Sequence, residues 1–146
     1  MAVRNLLVRA DPVAVWSVLA DPRSYSGWVL GTSDVVEVRG HWPAEGSSFQ
    51  YLAKLGGLRI SDTTFVRVSE PPSRLELEAR LGRFGVLRVS FVILRWGAAS
   101  VVAVDEHPLG GPLLVLDSLF LDTAFTWRNK HLLRRLARVA EGRAAP

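Results

Sequence analysis

Four polar side chains stand among apolar neighbours in a way that could do chemistry: Tyr51, Asp62, Thr64 and Asn129. Asp62 and Thr64 alternate with Ile60 and Val66, so a strand that turns its apolar residues inward carries a carboxylate and a hydroxyl with them. A carboxylate so placed needs a hydrogen-bond partner or water, or its neutral form is favoured. Proton transfer would fall to Asp62 as base, with Tyr51 or Thr64 as proton donor. Two other positions stay open for Asp62, beside a strand bulge or at the wet end of the sheet. Asn129 can equally bond a neighbouring backbone group, and Tyr51 can be a core residue whose hydroxyl reaches solvent.

Other chemistries find little support. The chain has no Cys, no Gly-x-Ser-x-Gly elbow and no glycine-rich phosphate loop. His41, His107 and His131 are far apart and lack metal-ligand spacing, so neither a metal nor a cofactor is expected. Of the 146 residues, 18 are Lys or Arg and 14 are Asp or Glu, and 49% are hydrophobic. This is the composition of one ordinary globular domain spanning 1–146, long enough for one sizeable core. The basic excess lies in the tail, where residues 113–146 hold 6 basic and 3 acidic side chains. No aromatic or Gly-rich motif accompanies it, which argues against nucleic acid. Without a signal peptide or a span-length apolar run, a cytoplasmic protein with no stable membrane insertion is expected.

The elements that must position the four residues follow from local signals. Residues 2–8 predict a strand. Asp11-Pro12 and Asp21-Pro22 each supply an N-cap followed by proline at the first helical position, giving two short helices. Period-two patterning then predicts strands at 35–39, 48–55, 59–69, 74–81, 86–96 and 100–107, joined by Gly- and Pro-rich turns as an antiparallel meander. Pro108 to Pro112 is expected to end the last strand. A long amphipathic helix follows, with Leu121, Phe125, Leu132, Leu133, Leu136, Val139 and Ala140 on one face and Arg128, Arg134, Arg135 and Arg138 on the other. Asn129 sits within the apolar face.

The order of strand, two short helices, meander and long helix resembles the helix-grip fold of the START-like (SRPBCC) superfamily, with its Bet v 1-like members and polyketide cyclase/dehydrase-like branch. The resemblance runs over the whole chain. It is carried by Asp11-Pro12 with Trp16, Asp21-Pro22 followed by Trp28, Trp42-Pro43 before Gly46, the Pro71-Pro72 turn, and Arg128-Asn129 ahead of Leu132, Leu133 and Leu136. It implies an α+β fold: a curved seven-stranded antiparallel sheet wrapped around the C-terminal helix, with an apolar cavity between them for a lipid, a polyketide or a similar molecule.

The phase that buries the apolar set turns Val36, Val38, Phe49, Tyr51, Ala53, Leu55, Ile60, Val66 and Val68 inward. Leu75, Leu77, Ala79, Leu81, Leu87, Val89, Phe91 and Ile93 follow. The expected ligand contacts are Trp28, Phe49, Tyr51, Asp62, Thr64, Leu77, Phe91, Phe125 and Asn129. Arg59, Arg67, Arg74, Arg80 and Arg88 fall on the outward phase, which departs from a cyclase pocket that uses an inward arginine. Binding of a hydrophobic small molecule is therefore the first expectation, and a polyketide cyclase/dehydrase-like lyase the alternative. Leu116, Phe120 and Trp127 form a second apolar stripe, read as a surface covered by residues 21–34, a ligand portal or a homodimer contact.

Overall fold

The computed structural model describes residues 2–29, 32–55, 58–80, 85–110 and 118–144; within them, the side chains of residues 2, 3, 32–34, 36, 53–55, 58, 60 and 118–128 lie outside that description. Strand β1 (Ala2–Val8) leads into helix α1 (Pro12–Leu19). The α1 cap is the expected one, with Asp11 Oδ1 accepting from the Ala14 N–H at 2.8 Å. Asp21 repeats the device, accepting from the Arg23 N–H at 3.1 Å. It opens a single 3₁₀ turn (Pro22–Ser24) that continues into α2 (Tyr25–Trp28).

The remaining strands are β2 (Thr32–Arg39), β3 (Ser48–Leu55), β4 (Leu58–Glu70), β5 (Arg74–Arg80), β6 (Val86–Trp96) and β7 (Ala99–Gly110), and α3 (Ser118–Ala144) closes the chain. All seven strands form one antiparallel sheet in the order β1-β7-β6-β5-β4-β3-β2. The meander therefore runs unbroken from β2 to β7, and β1 returns to lie beside the last strand. Local hairpin connections make that order the natural one, since each strand meets its neighbour in sequence first.

One sheet face is dry. Leu75, Leu77 and Ala79 of β5 are buried while Arg74 and Arg80 face water, and Leu87, Val89, Phe91 and Ile93 continue the dry face on β6. Helix α3 packs on this face against β1 and β7 and touches α1 and α2. Its Leu132, Leu133, Leu136, Ala137 and Ala140 are buried, and Arg134, Arg135 and Arg138 are exposed, as the helical spacing predicts. The end of α3 is tied down by polar contacts. Arg143 donates to the Ser17 carbonyl at 3.0 Å and to Asp21 Oδ2 at 2.7 Å, while Glu141 accepts from the Arg9 N–H at 2.8 Å.

Three expectations need correction. A register shift between Val66 and Val68 pairs Val68 with Glu76 of the outer face, so Val68 turns outward where strict alternation has it inward. Val38 is 43% exposed although it pairs with the buried Phe49. A register shift between Val35 and Glu37 puts Val35 and Val38 on the same face, so the strict alternation of Val36 with Val38 fails; β2 is also the sheet edge, where that face goes uncovered. The side chain of Val36 lies outside the description, as do Leu81 and the side chains of Ala53, Leu55 and Ile60. The last strand does not stop at His107 but continues through Pro108, which pairs with Leu87, to Gly110. Its described pairing with β1 reaches Glu106, opposite Ala2.

Candidate functional site

Aromatic rings seal the sheet against the short helices. Tyr25 and Trp28 of α2 lie 4.4 Å apart, centroid to centroid; Tyr25 meets Phe49 of β3 at 5.0 Å, and Trp28 meets Phe91 of β6 at 5.8 Å. Trp42 completes the group, 4.5 Å from Phe49. The polar ends of these rings are satisfied locally. The Tyr25 hydroxyl and the Trp42 indole N–H both donate to the Leu19 carbonyl at the end of α1, at 2.7 and 2.9 Å. Burial therefore fixes Tyr25 as a neutral phenol: desolvation pushes its pKa well above the ordinary value, against a smaller opposing effect of Trp42. The Trp28 N–H donates to Ser24 Oγ at 3.1 Å.

Beneath this aromatic cap is a cavity of about 40 Å³. Its walls are apolar, from Trp28, Phe49, Leu77, Phe91 and Leu132 among others, and three polar side chains reach it: Tyr51, Thr64 and Glu106. Sheet pairing explains the convergence. Tyr51 is directly opposite Asp62, Phe49 opposite Thr64, and Val89 opposite Glu106. Paired residues share a face, so each polar group is presented on the dry side with an apolar partner or with another polar group.

Asp62 is 1% exposed, which rules out the wet end of the sheet. It does not line the cavity itself. Its Oδ2 accepts from the Tyr51 hydroxyl at 2.6 Å, a buried charge-assisted bond that directs the phenolic proton toward the carboxylate. Asp62 and Tyr51 act as a unit, with Tyr51 in front.

Trp28, Phe49, Tyr51, Thr64, Leu77 and Phe91 are thus brought together around one space. Asn129 is fully buried on α3, but it does not line that space. Phe125 falls outside the described side chains, as do Phe120 and Trp127, and Leu116 lies outside the described residues altogether. Trp16 is half-buried and packs against the core.

Sequence reasoning missed Glu106, which is fully buried and lines the cavity. The signal was present: Val102, Val104 and Glu106 alternate along β7, and the two valines are fully buried. Carrying the inward phase through the last strand would have placed the carboxylate. The outward phase of the arginines holds, with Arg59, Arg67, Arg74 and Arg80 exposed and Arg88, half-buried, paired with Glu78 of the outer face. No group of three His, Cys, Asp or Glu suited to a metal occurs among the described residues, and none of their helices is long and apolar enough to cross a membrane.

No family model matches the sequence, and no curated protein resembles it closely enough to count as a relative. Solved structures do match its shape. The Zhui aromatase/cyclase of Streptomyces sp. R1128 superposes with a TM-score of 0.71 at 16% identity, over 99% of this chain and 94% of that one. A protein of Rhodobacter sphaeroides gives 0.72 at 16% identity, over 97% and 93%. DynU16, from the dynemicin biosynthetic locus, gives 0.65 at 22% identity; 96% of this chain is covered but only 46% of DynU16, so the chain spans about half of that protein. The seven-stranded antiparallel sheet, the paired short helices after β1, the long terminal helix and these superpositions together establish that the chain has the α+β helix-grip fold shared by the Zhui aromatase/cyclase.

Proposed function

We propose that the chain binds a hydrophobic small molecule, of lipid or polyketide type, between the sheet and α3. The observation that supports this reading is the aromatic-walled cavity with few polar groups, Tyr51, Thr64 and Glu106, set to orient a guest. Apolar contact would supply the affinity and the three polar groups the orientation. The space of about 40 Å³ holds a few water molecules, whereas pockets for drug-sized ligands run from ~300 Å³ upward. Binding therefore requires the ring contacts to part, and the edge-on packing of Trp28 on Phe91 is where the aromatic cap joins the central strands. The fold of an aromatase/cyclase lends weight to a polyketide-like guest.

Native mass spectrometry of the protein purified from its own host tests this, followed by extraction and identification of the retained compound. A retained apolar compound is expected. A bare protein mass, together with unchanged NMR signals of Trp28 and Phe91 when 2-naphthol is added, would overturn the reading.

The bond between Tyr51 and Asp62 favours a second reading, a cyclase/dehydratase. Tyr51 would take a proton from an activated substrate carbon as its own passes to Asp62, and the same relay would return a proton to the departing hydroxyl, which leaves as water. Asp62→Asn then lowers turnover of a poly-β-ketone substrate by roughly 100-fold or more while binding stays nearly constant. Equal turnover in the two proteins would remove this reading.

A further inference from the structure

Away from the aromatic cavity, β1 and α3 enclose a cleft of about 170 Å³ lined by Arg4, Asn5, Leu6, Lys130, Leu133 and Arg134. We propose that this cleft binds a phosphate-type anion, carried on an aliphatic or otherwise apolar stem.

What marks this place is that three cations gather on one hollow. Some exposed arginines elsewhere meet carboxylates, as Arg39 does Glu37, Arg67 and Arg80 do Glu78, Arg74 does Glu70 and Glu76, and Arg143 does Asp21. Arg4, Lys130 and Arg134 form no ion pair with a described residue, and no acidic side chain among the described residues lines their cleft. Lys130 and Arg134 are one helical turn apart, a like-charge spacing that costs helix stability, and Arg4 adds a third cation from the facing strand. Arg4 pairs with the buried Val104, so it lies on the sheet face that α3 covers. A fold that holds three cations around one hollow, with no carboxylate between them among the described residues, gains from a bound anion what it loses to their repulsion.

The geometry selects the kind of anion. Guanidinium groups from two elements suit the oxygens of a phosphate, which can accept from both at once, and Lys130 adds a point charge. Leu6 and Leu133 give the cleft an apolar floor, Leu133 being 2% exposed. The space exceeds the about 150 Å³ of an apolar cavity known to take benzene, so a phosphoryl group and the first carbons of its stem fit together. The same chemistry is offered by a soluble phosphate ester and by an anionic lipid headgroup.

NMR titration of the whole chain with inorganic phosphate, against chloride at equal ionic strength, tests the proposal, alongside sedimentation with vesicles of phosphatidylglycerol or of phosphatidylcholine alone. Saturable shifts at Arg4, Leu6, Leu133 and Arg134 with phosphate are expected, weakened at least tenfold in R4Q and in R134Q and unchanged in R95Q, whose charge lies far along β6. Capture by phosphatidylglycerol vesicles but not phosphatidylcholine, lost in R134Q, would assign the anion to a lipid; phosphate shifts without vesicle capture would assign it to a soluble ester. Phosphate shifts no larger than those of chloride, with no vesicle capture, would overturn the proposal. So would equal loss of binding in R134Q and R95Q. All three substitutions are at exposed positions, and the wild-type titration alone decides the matter if a variant folds poorly.

Discussion

Removing the Tyr51 hydroxyl tests whether the polar heart of the site is a coupled pair. Tyr51→Phe keeps the ring that packs 5.5 Å from Phe49 and deletes only the O–H whose 2.6 Å bond reaches Asp62 Oδ2. A hydrogen bond to a charged group contributes about 1.5–3 kcal/mol, and here both partners are buried, so water cannot replace it cheaply. For a chain of this length the entropy of unfolding is roughly 0.3 kcal/mol/K, so the variant should melt ~5–10 °C below wild type. Asp62→Asn removes the charge from the same bond and should cost a comparable amount. Because the two changes break one interaction, Tyr51→Phe combined with Asp62→Asn should cost less than the separate losses together, by ~1 kcal/mol or more. Urea unfolding of the four proteins measures that coupling. Strict additivity would show that Tyr51 and Asp62 are two independent core residues and would refute the relay built on them.

Acid should weaken the outer sheet face. Glu78 is held below its ordinary value of 4.5, first by the bond from Arg67; burial pushes the Glu76 carboxyl up, and the bonds from Arg74 and Ser90 more than offset this. With folded-state values below unfolded ones, the two carboxylates contribute stability that is present above about pH 4.5 and is lost as pH falls through their lower folded values. Arg67→Gln should flatten that fall, read as urea midpoints near neutral pH and at about pH 3. Asp11→Ala deletes the acceptor of the α1 cap and should cost about 1 kcal/mol in urea unfolding, whereas Asp11→Ser should restore most of it. Gly40 has φ +79 and an added Cβ would meet Ser47 Cβ at 3.2 Å. Gly40→Ala is therefore expected to cost ~1–2 kcal/mol by thermal melting, while Gly142→Ala, in helical backbone with open space around it, should be neutral or stabilising.

Much of this molecule is written locally. Asp-Pro pairs start helices because a short acceptor side chain and a preset φ act within one turn, and both do so here at Asp11 and Asp21. Alternation along 74–80 and 86–93 declares a sheet with one dry face, and the spacing of Leu132, Leu133, Leu136 and Ala140 declares the helix that dries it. The inward placement of Asp62 and Thr64 follows from the same arithmetic, as would that of Glu106 had the period been carried along β7.

What the sequence leaves undetermined depends on contacts between distant residues. The register that sets Tyr51 opposite Asp62 brings them into a bond that turns Asp62 from a cavity residue into the partner behind one. A bulge in β2 undoes the alternation of Val36 with Val38, because an extra residue in one strand is visible only against its neighbour. Pro108 stays in its strand through its pairing with Leu87 of β6. Cavity size is decided by how far Trp28, Phe49 and Phe91 interlock, and the gathering of Arg4 with Lys130 and Arg134 by how α3 lies across β1. Periodicity assigns each side chain to a face; which side chains meet on that face is settled only when the strands pair and the helix packs.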